Sequence, residues 1–169
     1  MKKRLEIIKT AMHIEAEGEK FYKEAANKTK DPTGKAFFEV LAQDEREHKR
    51  VFGEIYVSLN EEKKWTPLKA PLTKRDIKSS PIFDKKEAGG IKADLEDIRA
   101  IEIGIEKEKK SLDFYKNALE HFSEKDAKEL LLRLIEIEEG HLRLLKGELD
   151  AVQGSGYWFD FPEFTMESP

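Results

Sequence analysis

Residues 38–52 read FEVLAQDEREHKRVF, and residues 131–145 read LLRLIEIEEGHLRLL. In the first stretch Phe38, Leu41, Glu45, His48 and Phe52 recur at steps of three and four. In the second, Leu131, Leu134, Glu138, His141 and Leu145 do the same. Such steps keep each set of five side chains on one face of a helix, with a Glu and a His one turn apart inside an apolar stripe. A shift of 93 residues superposes the two stretches. Without a gap, that shift also carries Glu15 onto Glu108, Phe21-Tyr22-Lys23 onto Phe114-Tyr115-Lys116, Ala25 onto Ala118 and Arg50 onto Arg143. The repeat is sparse in identity, yet it keeps every position able to bind a metal.

Outward from these stretches, helical periodicity covers four segments, about 3–28, 32–59, 94–121 and 124–152. The first carries Leu5, Ile8, Met12, Tyr22 and Ala26 on its stripe, and the second adds Ile55. The third carries Ile98, Ile101, Ile105, Leu112, Tyr115 and Leu119, and the fourth adds Leu149 and Val152. Asp31-Pro32 reads as an N-cap followed by proline at the first helical position, and Ser123 reads as the N-cap of the fourth helix. Short connections make helices one–two and three–four antiparallel hairpins. Between the hairpins, residues 60–93 hold Pro67, Pro71, Pro81 and Gly89-Gly90 and show no sustained period. A connection this long is a crossover, and it lets helices two and three run parallel. The expected architecture is all-α: a four-helix bundle over 1–153, built from two hairpins and one crossover. An aromatic tail, 154–169, begins GSGYWFDFPEF. It is expected to pack on the bundle or at a dimer contact.

Composition agrees with a helical bundle and excludes several chemistries. The chain has 169 residues, 38% hydrophobic and 39% charged, so its core rests on patterning rather than on bulk hydrophobicity. Its 31 basic and 35 acidic residues are interspersed, with no basic tract to suit nucleic acid. There is no cysteine, which removes disulfides, thiolate zinc sites, iron–sulfur clusters and thiol nucleophiles together. No apolar run is long enough for a membrane span or signal peptide, and a cytoplasmic location is the expectation.

Glu15 lies between Met12 and Tyr22 on its stripe, and Glu108 between Ile105 and Leu112. Closing four such stripes into a bundle buries four carboxylates, each at a cost of several kcal/mol if left alone. No Lys or Arg shares the stripe segments, so ion pairing is not the remedy. Two divalent cations are: four negative charges, four positive charges and two neutral imidazoles sum to zero. One Glu from each of two helices, plus Glu-x-x-His from each of the other two, is the ligand arrangement of di-iron and di-manganese carboxylate bundles. An oxygen and nitrogen set without sulfur suits two Fe²⁺ ions, with Mn²⁺ or Zn²⁺ as substitutes. A single Glu-x-x-His carries little weight in a chain so rich in Glu. Six residues in register on four stripes carry much more. His13 and His121 lack that spacing and read as solvated or capping residues.

These residues resemble the rubrerythrin group of the ferritin-like superfamily, over about 120 of the 169 residues. The carriers are EAEGEKFY from Glu15, QDEREHKRVF from Gln43, EKKSLDFY from Glu108 and EEGH ending at His141. The resemblance implies a ferritin-like fold, metal ligation by Glu15, Glu45, His48, Glu108, Glu138 and His141, and bridging by Glu45 and Glu138. It differs in two places. Ser111 stands where rubrerythrins carry a further Glu, which favours the simpler four-Glu, two-His set. The four-cysteine rubredoxin module is also absent, so electrons must come from an external donor, such as a rubredoxin-like protein, or a small reductant.

The leading functional expectation is reduction of hydrogen peroxide by the metal pair. Tyr22 and Tyr115, two turns from Glu15 and Glu108, are candidates to donate protons or hydrogen bonds near it; their alternative role is that of core aromatics. Two other readings are a ferroxidase or iron-handling protein and a metal-binding bundle without catalysis. A homodimer is expected. The ~30-residue crossover can reach ~100 Å when extended, which permits a return within one bundle or a domain-swapped pair.

Overall fold

The computed structural model describes residues 2–62, 64, 65, 72 and 96–153, and the backbone of 95, 157, 158, 161 and 162. Four helices account for nearly all of this: α1 (Lys2–Lys28), α2 (Pro32–Glu61), α3 (Leu95–Ala118) and α4 (Lys125–Gln153). α1 and α2 run antiparallel, since Tyr22 stacks on Phe38 while Glu15 faces His48. α3 and α4 pair likewise, with Lys116 bridging to Glu139 while Gly104 abuts Leu145. α2 and α3 are parallel: Glu45 meets the same cluster as Glu108, and seven residues further along each helix Phe52 stacks on Tyr115. The fold is an all-α, ferritin-like four-helix bundle of two hairpins whose connectivity requires a crossover.

The helix ends follow local chemistry. Asp31 caps α2, its Oδ2 accepting from the Gly34 N–H at 2.9 Å, and Pro32 takes the first helical position. At the end of α3 the helix tightens into a 3-10 turn, Leu119–His121, and Phe122 turns extended. Arg4 of α1 donates to the His121 carbonyl there, at 3.3 Å. This satisfies one of the acceptors that a helix C-terminus leaves open. The fourth helix starts later than Ser123 implied. The Glu124 carbonyl accepts from Lys128 N at 3.1 Å, so Glu124 is the cap position and Ser123 precedes it. The Glu124 carboxylate, paired with Arg4, takes the Ser123 N–H at 3.1 Å.

Two apolar clusters fill the bundle. One gathers Ile8, Phe52, Ile55, Leu59, Leu112, Tyr115, Leu131 and Leu134; the other gathers Tyr22, Phe37, Phe38, Leu41, Ile101, Ile105 and Leu145. Between them lies a layer of buried Glu and His, so the core is interrupted at mid-height by polar side chains. Of the segment expected to cross over, Trp65 packs edge-on against Phe122, ring centres 5.5 Å apart, and Leu72 joins the first cluster. Residues 60 and 61 belong to the end of α2, and residues 63, 66–71 and 73–94 lie outside the described residues. In the tail, two-residue strands β1 (Tyr157–Trp158) and β2 (Phe161–Pro162) pair antiparallel. The packing expected of the tail's aromatic side chains also lies outside the described residues. Among the described residues no helix is long and apolar enough to cross a membrane.

Candidate metal centre

Each helix delivers its polar residues to the same level of the bundle. Glu15 comes from α1, Glu45 and His48 from α2, Glu108 from α3, and Glu138 and His141 from α4. None is more than 4% exposed. Two groups form, Glu15–Glu45–His48–Glu138 and Glu45–Glu108–Glu138–His141, and within each the ligand atoms lie within 4.8 Å of one another. Glu45 and Glu138 belong to both.

The oxygens divide between the groups. Glu138 Oε1 is 3.1 Å from His48 Nδ1, and its Oε2 is 3.1 Å from His141 Nδ1. Glu45 Oε2 is 3.7 Å from His48 Nδ1, and its Oε1 is 4.0 Å from His141 Nδ1. Glu15 Oε2 approaches His48 Nδ1 at 3.3 Å, and Glu108 Oε1 approaches His141 Nδ1 at 3.9 Å. The imidazole rings lie nearly parallel, centres 6.1 Å apart. Two carboxylates therefore face both halves, and one Glu with one His serves each half alone.

Cations fit this layer. Both oxygens of Glu15, Oε1 of Glu138 and Nδ1 of His48 are buried without a hydrogen-bond partner among the described residues. Buried polar atoms of this kind are normally paired, and a metal is one way to satisfy them. Protons are the other. Burial first, and then the Glu45 charge, push the Glu15 carboxyl well above the usual carboxylate range. Burial, followed by the charges of Glu138 and Glu45, does the same to Glu108. Burial opposes charge on His48 and His141. On His48 the charges of Glu15 and Glu138 outweigh it, and on His141 hydrogen bonds to Asp44 and Glu138 do, so both imidazoles hold a proton well above their usual range. Glu138, by contrast, is held well below its range: burial raises it, but the two imidazoles prevail. Without metal, protons thus stand in for positive charge.

Neighbouring residues complete the centre. His141 Nε2 donates to Asp44 Oδ2 at 3.2 Å, which turns Nδ1 toward the carboxylates. Tyr22 OH donates to Glu108 Oε1, across the bundle rather than to Glu15 of its own helix. Burial and the Glu108 charge raise the Tyr22 hydroxyl well above its usual range and keep it a donor. Tyr115, stacked on Phe52, has a buried hydroxyl without a hydrogen-bond partner among the described residues. His13 is exposed, and the His121 carbonyl accepts from Arg4. Two contributors escape the stripe pattern. Asp44 adjoins Glu45 and lies four residues before His48, a signal visible in the sequence but shared with many solvated residues. Glu19, one turn beyond Glu15, binds Lys23, Arg46 and Lys49 and so ties α1 to α2.

A cavity of about 150 Å³ opens between α1 and α3 and reaches the layer at Glu45, Glu108 and Tyr22. Its wall includes Gly18 and Ser111, which the 93-residue shift relates to each other, so it lies on the pseudo-twofold relation between the halves. Both residues are small, and that is what leaves it open. A Cβ at position 18 would sit 3.1 Å from Glu45 Cδ.

Comparisons agree with this geometry. A search of curated proteins gave no match. Among solved structures, a hypothetical protein from Pyrococcus furiosus superposes with a TM-score of 0.68 over 92% of this chain and 93% of its own, at 21% identity, a likeness of fold. The family model described as Rubrerythrin matches residues 6–149, which span all four helices and all six Glu and His of the buried layer. The chain belongs to the rubrerythrin family.

Proposed function

We propose that the buried layer holds two iron ions and that the chain reduces hydrogen peroxide. The observation that carries this reading is the division of oxygens: Glu45 and Glu138 each turn one oxygen toward either half, and Glu15–His48 and Glu108–His141 close the two halves. When bound, two Fe²⁺ ions supply the two electrons that, with two protons, convert one H₂O₂ into two H₂O.

The chain's own residues do the rest. Four carboxylates balance the charge of the pair, and the two apolar clusters close the layer above and below. The cavity beside Gly18 and Ser111 admits a molecule of peroxide's size to the Glu45–Glu108 edge. Tyr22 holds a proton at its hydroxyl on that edge and steadies Glu108. With no cysteine in the chain, a separate donor, a rubredoxin-like protein or a small reductant, returns the electrons. Iron-loaded, anaerobically reduced protein mixed rapidly with stoichiometric peroxide is expected to oxidise much faster than with air. Oxidation as slow as in air would overturn the assignment. Faster oxidation by air, coupled to turnover of added Fe²⁺, would make it a ferroxidase.

A further inference from the structure

The sequence repeat makes a test of symmetry possible. If the halves were equivalent, each residue supporting one metal position would have a counterpart 93 residues away supporting the other. The ligands obey this: Glu15 pairs with Glu108, Glu45 with Glu138, and His48 with His141. Their supports do not.

Three differences run in one direction. Asp44 accepts from Nε2 of His141 at 3.2 Å. The residue related to Asp44 by the shift is Ile137, whose side chain has no acceptor to offer His48. Tyr22 donates to Glu108 across the bundle, whereas among the described residues Tyr115, its counterpart, has a hydroxyl without a hydrogen-bond partner and Glu15 has two oxygens without one. The third difference lies in the packing around Tyr22. A Cβ at Gly104 would stand 3.3 Å from the Tyr22 hydroxyl, so glycine leaves that oxygen its room. The related position on α1 holds Ala11.

We propose that the two metal positions are unequal: the one built on Glu108 and His141 binds its ion more tightly and fills first, with Asp44 and Tyr22 as its positioning residues. This rests on the metal-site reading above. A carboxylate on the far nitrogen of a ligating imidazole fixes its orientation and raises its basicity, and a hydrogen bond to a ligating carboxylate limits its swing. Removing such partners typically costs ~10–100-fold in metal affinity. Among the described residues Glu15 and His48 have no such supports, so the ion itself would have to order them, an entropic cost that the other position has already met in the fold.

The test uses the whole chain and Mn²⁺, a redox-inert probe of the same ligand class. Calorimetric titration is expected to resolve two steps separated by ~10–100-fold. Anomalous diffraction from crystals grown with one equivalent should place most of the Mn²⁺ between Glu108 and His141. Asp44→Ile, which copies the other half, and Tyr22→Phe, which keeps the ring, should each weaken the first step and narrow the gap. Tyr115→Phe should change neither step. Equal steps in the wild type, or the first ion beside Glu15 and His48, would overturn the inequality and leave the metal site standing. So would an unchanged gap in both Asp44→Ile and Tyr22→Phe. If no ion appears in the layer, the metal site itself falls, and the two failures are distinct.

Discussion

Glu45 and Glu138 differ from the other four Glu and His of the buried layer because each presents one oxygen to each half of it. Loss of either carboxylate should therefore disturb both of the proposed metal positions. Glu45→Ala and Glu138→Ala proteins are expected to hold less than one ion per chain after equilibrium dialysis, whereas Glu15→Ala should retain about one. If Glu45→Ala and Glu138→Ala still bound the wild-type complement, the bridging role would be wrong. Gly18 acts at the same scale by being small. An alanine there favours the helix by about 1 kcal/mol in intrinsic propensity, but its Cβ would meet Glu45 Cδ at 3.1 Å. Gly18→Ala should leave the metal-free fold intact by circular dichroism and weaken metal binding; unchanged affinity would show that Glu45 yields freely.

At the scale of elements, the helices are held by end chemistry and by rings packed across the bundle. The Asp31 cap supplies an acceptor to the buried Gly34 N–H in the first turn of α2. Asp31→Ala should cost about 1 kcal/mol, read as a lower denaturant midpoint with an unchanged slope. Phe52 is fully buried, stacks on Tyr115 and joins α2 to α3, the pair whose helices are linked only through the crossover. Truncating it to alanine removes a large apolar side chain from a close-packed core, at a cost of about 3–5 kcal/mol. Phe52→Ala should therefore lower the thermal midpoint far more than Asp31→Ala, and an equal effect would mean that the core collapses around the gap.

For the whole molecule, pH and metal are linked through the buried layer. Glu15, Glu108, His48 and His141 all have folded-state values above their ordinary ones. A raised value means that the folded chain binds more protons than the unfolded chain. Their contribution is present in full below the ordinary values and is lost as pH rises through the folded ones. Metal-free protein should thus lose thermal stability as pH rises above about 4.5 for the carboxyls and about 6.5 for the imidazoles. Bound cations replace those protons, so the metal-loaded protein should not show this alkaline decline. Glu138, held below its range, acts in the opposite direction, and so does Glu19. Burial raises it, but Lys23, Lys49 and Arg46 hold it at about 2, and its contribution is lost as pH falls from 4.5 toward that value. Thermal scans between about pH 3 and 9, with and without Mn²⁺, check both windows. A metal-free protein that grew steadily more stable with rising pH would contradict the proton-for-metal account.

The sequence by itself determined the helices and the inventory of the centre. The period of the apolar stripes, the Asp31-Pro32 start and the 93-residue shift are local patterns, and local patterns survive in a one-dimensional reading. They put Glu15, Glu45, His48, Glu108, Glu138 and His141 in stripes that must meet, and burying charge demanded a counter-charge. Only the tertiary structure decided which oxygen faces which imidazole, because that depends on rotamers set by packing between helices. It sent the Tyr22 hydroxyl across the bundle to Glu108 instead of along α1, and it brought Asp44 to His141, 97 residues away. It also moved the start of α4 past Ser123, where the pairing of Arg4 with Glu124 comes from a helix remote in sequence. The symmetry of the ligands was legible in the chain. The asymmetry of their supports rests on contacts between residues far apart in sequence, and those exist only once the bundle has closed.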